Sequence, residues 1–238
     1  MVPFISPADR YEKLLRAAVL GWICCMAVQQ YSEAGGKPVG RKEFPDKITL
    51  EEPRMKGPIS VEEAITRRRS VRRFLDRPLS RQQISQLLWA AQGITDKTRG
   101  YRAAPSAGAT YPLTVFAVTP EGIYRYLPAG HELELVRKGD LRSLLARAAL
   151  DQPWVAEAPL DIVITAEPRR TTGRYGQRGM MYIYMEAGHA AQNIHLQAVS
   201  LGLGSVPVGA FDDDRVADLL QLPEGHIPLY IIPVGYPR

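Results

Sequence analysis

The stretch that decides the fold class covers residues 184–211 and reads YMEAGHAAQNIHLQAVSLGLGSVPVGAF. Its first part belongs to a mostly apolar pattern with helical spacing, which predicts a long helix over residues 179–201. Glycines 202, 204 and 209 follow that helix, whereas a dinucleotide-binding fingerprint places its glycines between a strand and a helix. We therefore reject a Rossmann site and interpret the segment as backbone that presents N–H groups to the edge of a ligand.

The surrounding sequence predicts strands and helices without a regular βαβ alternation. Capping-box patterns begin at Ser60 and Ser80, and Asp140 and Asp212 are candidate N-caps of helices over 141–150 and 215–220. Runs rich in β-branched and aromatic residues predict strands, and two alternating segments around a turn at 128–130 predict a hairpin. These strands cover residues 113–119, 122–127, 132–136, 160–166 and 229–235. The pattern predicts an α+β fold.

The N-terminal quarter of the chain has a different character. Residues 17–28 (AAVLGWICCMAV) form an apolar run that is too short to span a bilayer but has the length of a signal-peptide core. Two locations stay open. The protein is either exported or membrane-associated through this run, or it is cytoplasmic and the run packs on the domain or a dimer partner. Residues 29–59 are rich in glycine, proline and charge, which predicts a linker or extended arm. The compact domain is predicted to cover residues 60–238.

Composition limits which kinds of ligand and catalytic group the protein can use. The chain has 238 residues, a formal net charge of +5 and only two cysteines, Cys24 and Cys25. The positive charge favours anionic partners, and adjacent cysteines outside the domain exclude both a disulfide framework and a thiol nucleophile within it. Glu186 and His189 have di-iron spacing but lack the second pair and the further carboxylates, so no metal is expected. We interpret His189, Gln192, Asn193 and His195 as buried polar groups that tie the long helix to its neighbours or reach across a dimer interface.

An arginine-rich segment, RRRSVRRF at residues 67–74, is the first candidate binding motif. Guanidinium groups and a hydroxyl form charge-assisted hydrogen bonds to phosphate. Alternation in an extended segment puts Ser70 and Arg72 on one face and Arg73 on the other. A solvated basic face is the alternative reading. A nucleic-acid patch is disfavoured because no aromatic residues are interleaved with the arginines.

A second candidate motif is APSAGATYPL at residues 104–113. Its small residues and Gly108 allow the backbone to approach a flat ligand closely, and Ser106 adds a hydroxyl group. Alone, this pattern is equally typical of a tight loop before a strand.

In this order, the motifs resemble the nitroreductase superfamily, and most closely its SagB-type dehydrogenase branch, which includes azoline oxidases of modified peptides. The segments LSRQQISQLLWAAQGIT at 79–95 and PLYIIPVGYP at 228–237 belong to the same resemblance, which covers about residues 60–238. It implies a mainly antiparallel sheet flanked by helices, in a homodimer that binds flavin mononucleotide (FMN) at the subunit interface.

The resemblance also implies roles for individual residues. The phosphate and ribityl end of the flavin would be held by Arg68, Arg69 and Ser70, and the pyrimidine edge by Arg72. The partner subunit would contribute Ser106, Ala107 and Gly108. The isoalloxazine would be lined by Pro207, Val208 and Gly209, with the Gly209 amide near the reactive N5. Arg238 lies near the place of a late phosphate-binding arginine.

The implied activity is hydride transfer through the flavin, from NADPH, NADH or an organic donor to a small nitro, quinone or enone acceptor, with ping-pong kinetics. Two alternatives are azoline oxidation in a peptide and flavin binding without nicotinamide turnover. The sequence departs from the azoline oxidases because Met181 replaces a lysine, which leaves Tyr182 as the candidate catalytic residue. Ala109 replaces the usual asparagine of the second motif, which removes one hydrogen bond to the flavin.

Overall fold

The computed structural model describes residues 47–238, which fold around one large sheet. Seven strands form this sheet in the order β1-β6-β5-β4-β7-β9-β8, and every neighbouring pair is antiparallel. Strands β2 and β3 form a separate two-stranded sheet. The strands are β1 (Lys47–Thr49), β2 (Ile94–Asp96), β3 (Tyr101–Arg102), β4 (Leu113–Thr119), β5 (Gly122–Leu127), β6 (Glu132–Lys138), β7 (Leu160–Ala166), β8 (Gly204–Ser205) and β9 (Ile227–Gly235).

Helices cover both faces of the sheet, because the central strands bury side chains on both sides. On one face, Leu88 of α2 and Ile183 of α6 join a core with Ile162 of β7. On the other face, Leu145 of α3 and Val163 of β7 belong to a second core. The helices are α1 (Val61–Arg67), α2 (Arg81–Gln92), α3 (Arg142–Ala148), α4 (Pro153–Glu157), α5 (Arg169–Tyr175), α6 (Arg178–Ser200) and α7 (Asp213–Leu220). This arrangement confirms the predicted α+β class.

Local side-chain caps fix several helix starts. The Ser60 hydroxyl accepts a hydrogen bond from the Glu63 N–H, and Ser80 and Gln83 form a reciprocal capping box at the start of α2. Asp212 caps α7 through the Arg215 N–H at 3.1 Å. The prediction for Asp140 is wrong, because α3 begins after Leu141 without a side-chain cap. Asp140 instead accepts from the Arg142 N–H in a local turn and pairs with the Arg142 guanidinium.

The compact fold begins before Ser60, in contrast to the predicted boundary. Strand β1 pairs with β6, and Leu50 is buried. The following backbone is fixed to α2, since the Arg54 N–H donates to Gln86 Oε1 at 2.8 Å. Part of the predicted arm is thus an edge strand with its own hydrogen bonds. The apolar run at 17–28, both cysteines and residues 29–46 lie outside the described residues. Within residues 47–238, no helix is both long and apolar enough to cross a bilayer.

Candidate functional site

The arginine-rich segment and the glycine-rich segment lie side by side in the structure. Ser70 forms a parallel bridge with Ser205, and the Val71 N–H donates to the Ser205 carbonyl at 3.0 Å. A Cβ atom at Gly204 would lie only 2.6 Å from the Val71 side chain. A glycine is therefore required at position 204 for the two segments to approach each other this closely.

Strand β9 holds the other side of the glycine-rich segment. Val208 exchanges two backbone hydrogen bonds with Ile231, at 2.8 and 3.0 Å. Because both polar groups of Val208 face β9, the N–H of Gly209 points away from that strand. Val208 is buried, whereas Pro207 and Gly209 are exposed. Pro207 and Gly209 are accessible to a ligand and Val208 is not, and the flavin-lining role of the three residues stays a prediction.

The C-terminal residues complete this region from the opposite side. The Leu75 N–H donates to the Tyr236 carbonyl at 2.9 Å, and the Arg238 N–H donates to the Arg73 carbonyl at 3.1 Å. Arg238 also lines a cavity of about 510 Å³ together with Phe74 and Arg142. The backbone pairing thus brings Arg238 next to the arginine-rich segment.

The arginines of this segment have different environments. The Arg72 side chain is exposed, and its Cζ lies 5.6 Å from the centre of the Trp154 ring. Arg69 donates to the Thr66 and Arg68 carbonyls, at 3.1 and 2.7 Å, so its guanidinium covers the end of α1. Of the two, Arg72 is therefore the one whose guanidinium has no hydrogen-bond partner among the described residues.

A buried histidine supports the pairing of the two segments from below. His195 Nδ1 lies 2.7 Å from the Ser205 hydroxyl, and its Nε2 has no partner among the described residues. Burial and the nearby charge of Arg68 lower the pKa of His195 to about 4, which keeps the imidazole neutral at pH 7. His195 is a buried polar group, as predicted, and half-buried Asn193 ties α6 to the Ala90 and Ala103 carbonyls.

The same prediction is wrong for His189 and Gln192, which are exposed in the described chain. Both lie on the outward face of α6. The sequence of one helix does not show which of its faces the rest of the chain covers, so their exposure could not be predicted. Whether they reach a second subunit stays a prediction.

The second predicted motif forms a tight turn that packs on α5. The Ser106 hydroxyl accepts from the Tyr111 N–H at 2.9 Å, and Arg174 Nη1 donates to the Gly108 carbonyl at 3.3 Å. Gly108 has a positive φ of 59°, and a Cβ atom there would lie 2.4 Å from the Tyr175 hydroxyl. The turn, which includes the single 3₁₀ turn Ala107–Ala109, therefore depends on a glycine at position 108.

Glu186 on α6 lies beneath this turn and is almost completely buried, with 2% exposure. Burial raises its pKa to about 7, against the opposing effects of a hydrogen bond from Ser106 and the charges of Arg102 and Arg170. One of its oxygens, Oε1, has no partner among the described residues. From its sequence, Glu186 was a candidate only for a metal ligand, and within residues 47–238 no group of three or more His, Cys, Asp or Glu side chains could hold a metal ion.

The candidate catalytic residue Tyr182 lies near the same turn. Its half-buried ring packs edge-to-face on Tyr175, with centroids 5.2 Å apart. The Arg178 Cζ lies 5.7 Å from the centre of the Tyr182 ring.

The predicted residues thus form two groups within the described chain. One contains residues 68–72, 207–209 and 238, joined by backbone pairing. The other contains residues 106–108 and Tyr182, held by α5 and α6. Among the described residues, no hydrogen bond or ring contact joins the first group to the second.

One cavity of the described chain belongs to neither group. It has a volume of about 1120 Å³ and lies between residues 54–61, α2 and the end of α6. None of the predicted site residues lines it, although Trp89, Asn193 and Tyr236 do. The candidate site is therefore the open surface beside Gly209 and Arg72 rather than this cavity.

Sequence reasoning missed three residues at the candidate site: Trp154, Arg174 and Glu186. Trp154 follows Pro153 at the start of a five-residue helix, which is too short to give a periodic pattern. Arg174 belongs to α5, a helix with almost no apolar residues. For Glu186, the only indication of burial in the sequence was its position as the one acidic residue in the mostly apolar pattern of α6.

Comparison with known proteins agrees with this architecture. The model of the nitroreductase family matches residues 65–236. A Methanocaldococcus jannaschii protein named nitroreductase MJ1384 is 43% identical over 183 residues, 74% of this chain and 91% of its own. The solved structure of a Ralstonia eutropha protein described as a nitroreductase has 34% identity and a TM-score of 0.74, covering 82% of this chain and 90% of its own. A Bacillus subtilis protein named FMN reductase [NAD(P)H] is 25% identical over 191 residues, 74% of this chain and 66% of its own. This chain belongs to the nitroreductase family.

Proposed function

We propose that this protein is an FMN-dependent oxidoreductase that takes hydride from NADPH or NADH and passes it to a small nitro, quinone or enone acceptor. The observation that supports the proposal is the bridge between Ser70 and Ser205, which brings the arginine-rich segment 67–74 beside the exposed Pro207 and Gly209. The name of the Bacillus subtilis relative supports both the flavin and the nicotinamide nucleotide.

The residues of the first group fit the parts of FMN. The Arg68 guanidinium and the Ser70 hydroxyl suit the phosphate and ribityl end, because both donate hydrogen bonds to anionic or hydroxyl oxygens. Arg72, exposed beside the flat Trp154 ring, suits the pyrimidine edge of the flavin ring. The outward N–H of Gly209 provides a backbone donor for the N5 edge. Arg238 is adjacent to this group through its backbone bond to Arg73 and suits the phosphate.

When bound, FMN supplies the hydride chemistry, and the chain supplies orientation and charge. Arg72 would stabilise negative charge at the pyrimidine edge, where a reduced ring carries it. Gly209 would fix the ring position by hydrogen bonding. Tyr182, if it reaches the ligand, would donate or accept a proton at the substrate. One accessible face of the ring would serve donor and acceptor in turn, which gives ping-pong kinetics.

We also propose a homodimer in which residues 106–108 and Tyr182 of one subunit complete the flavin site of its partner. The absence of a contact between the two groups within the described chain supports this arrangement. The outward face of α6 carries Met181, Tyr184 and Met185, which are 45–56% exposed and lie at helical spacing. An exposed apolar stripe of this kind is typical of an interaction surface.

The first experiment is the visible absorption spectrum of the purified protein before and after anaerobic addition of NADPH or NADH. Flavin bands that bleach on addition would support the proposal. Bands that persist would contradict nicotinamide turnover and favour a substrate-driven dehydrogenase, such as the azoline oxidase of the SagB-type branch, or a flavin-binding protein. No bands after reconstitution with FMN would refute the cofactor.

A matched pair of variants tests the placement of the flavin. Arg72→Ala should weaken FMN binding about 10- to 100-fold, the range of one lost charge-assisted hydrogen bond. Arg73→Ala removes the same charge from the opposite face of the segment and should change the FMN Kd less than threefold. Equal losses in the two variants would contradict the assigned face.

The dimer is tested by Met185→Glu with light scattering and FMN titration. A buried, unpaired carboxylate at the interface should favour the monomer and reduce FMN affinity together with it. A variant that stays dimeric, or a monomer that retains FMN at wild-type affinity, would refute the shared site.

A further inference from the structure

A surface of alternating arginine and tyrosine side chains lies beside the Ala107–Ala109 turn. The Arg174 Cζ is 5.4 Å from the centre of the Tyr175 ring, and the Arg178 Cζ is 5.7 Å from that of Tyr182. The two tyrosine rings contact each other edge-to-face. These four side chains, Arg174, Tyr175, Arg178 and Tyr182, therefore form one continuous surface, which we call the Arg–Tyr surface.

Both arginines of this surface lack a carboxylate partner. Arg174 and Arg178 are exposed, and neither forms an ion pair with any described residue. Some exposed arginines have such partners, as Arg125 does in Glu134 and Arg215 in Asp212, but Arg174 and Arg178 do not. Two guanidinium groups without carboxylate partners, on tyrosine rings that contact each other, favour an anionic ligand.

The position of this surface connects it to the reaction. Arg174 donates to the Gly108 carbonyl, and the Tyr175 hydroxyl lies against Gly108. Under the proposed function, this turn contacts the flavin of the partner subunit. The Arg–Tyr surface would then border the entrance of the same site, where a donor molecule must place its nicotinamide ring.

We propose that the Arg–Tyr surface binds the phosphate groups of the nicotinamide nucleotide that reduces the flavin. Every nicotinamide nucleotide carries an anionic pyrophosphate, and a guanidinium binds phosphate oxygens with two parallel hydrogen bonds. The phenol hydroxyl groups add further donors. This inference rests on the proposed function and specifies how its reductant is recognised.

The test compares donors with and without phosphate in the anaerobic reduction of the FMN-loaded protein. The probes are NADPH, NADH and 1-benzyl-1,4-dihydronicotinamide, which has the reactive ring but no phosphate. Arg178→Ala should lower kcat/KM for NADPH and NADH about 10- to 100-fold and leave the value for the benzyl donor within about threefold; Arg174 is left in place because it also holds the Gly108 turn. Arg147→Ala, an exposed arginine on α3, controls for net charge and should leave all three values within threefold.

Two outcomes would overturn the inference. A parallel fall for all three donors would mean that Arg178 supports the flavin site itself. Unchanged values for NADPH and NADH would mean that their phosphates bind elsewhere.

Titration of the FMN-loaded protein with NADP⁺ separates this inference from the proposed function. A wild-type protein that is not reduced by any of the donors refutes the proposed function. If it still binds NADP⁺ and Arg178→Ala binds it at least tenfold more weakly, the nucleotide site stands. If NADP⁺ binding is absent or equal in the two proteins, the inference is overturned as well.

Discussion

Replacing Glu186 by glutamine should change how the stability of the protein depends on pH. The carboxyl group is buried with one oxygen unpartnered, and its pKa rises from 4.5 to about 7. Between pH 4.5 and pH 7, Glu186 therefore holds its proton more tightly in the folded protein than in the unfolded chain. The free energy of unfolding therefore falls as the pH rises through this window. Glutamine keeps the shape of the side chain and removes its ionisation.

The magnitude follows from the size of the shift. Each pKa unit corresponds to about 1.4 kcal/mol, so Glu186 lowers the stability by roughly 3 kcal/mol between pH 4.5 and pH 7. The free energy of unfolding of Glu186→Gln relative to wild type should thus increase by up to about 3 kcal/mol across this range.

Urea unfolding of both proteins at a fixed protein concentration, at pH 5 and pH 8 with saturating FMN, measures this difference. Taking the difference between variant and wild type cancels other titrating groups, including buried Asp161, whose pKa is raised well above its ordinary value by burial. A variant whose free energy of unfolding, relative to wild type, does not increase between pH 5 and pH 8 would refute the reasoning. It would show that Arg102, Arg170 and Ser106 stabilise the carboxylate more than burial disfavours it.

Three further changes test other parts of the structure. His195→Gln should reduce the loss of stability between pH 6.5 and pH 4 by up to roughly 3 kcal/mol, because the lowered pKa of His195 makes the folded state resist protonation. Urea unfolding at both pH values measures this, and a free energy of unfolding that falls equally in variant and wild type would contradict it. Gly204→Ala should displace Val71 and raise the FMN Kd at least tenfold, whereas Gly173→Ala, where a Cβ meets nothing within 4 Å, should not; equal Kd values would contradict the close approach. Leu50→Ala should lower the free energy of unfolding by about 2–3 kcal/mol if residues before Ser60 belong to the cooperative unit, and a loss below about 0.5 kcal/mol would exclude them.

The sequence predicted those elements whose causes are local. The Ser60 side-chain cap and the Ser80 capping box determine helix starts within four residues, and the β-branched run 160–166 forms a fully buried strand of the sheet. Strand β1 has only three residues, and its pairing with β6 depends on residues far along the chain. No local pattern distinguishes such an edge strand from a linker.

The candidate site was also predictable only where its features depend on local sequence. Each of the segments 67–74 and 204–209 could be identified from its own sequence as a candidate binding motif. Their pairing depends on the tertiary structure and could not be predicted from either segment. The exposure of His189 and Gln192 depends on what covers the outward face of α6. The burial of Glu186 against the Ser106 turn depends on how α6 packs on the sheet and on α5.

The position of β9 between β7 and β8 has a consequence for protein synthesis. The arginine-rich segment leaves the ribosome early, yet its neighbours, residues 204–205 and 236–238, are translated near the end of this chain. Until β9 emerges, one edge of β7 remains unpaired, and an apolar strand with a free edge is prone to aggregation. We therefore expect nascent chains that stop before residue 227 to depend on chaperones, and cofactor loading to begin only after residues 204–238 have emerged from the ribosome.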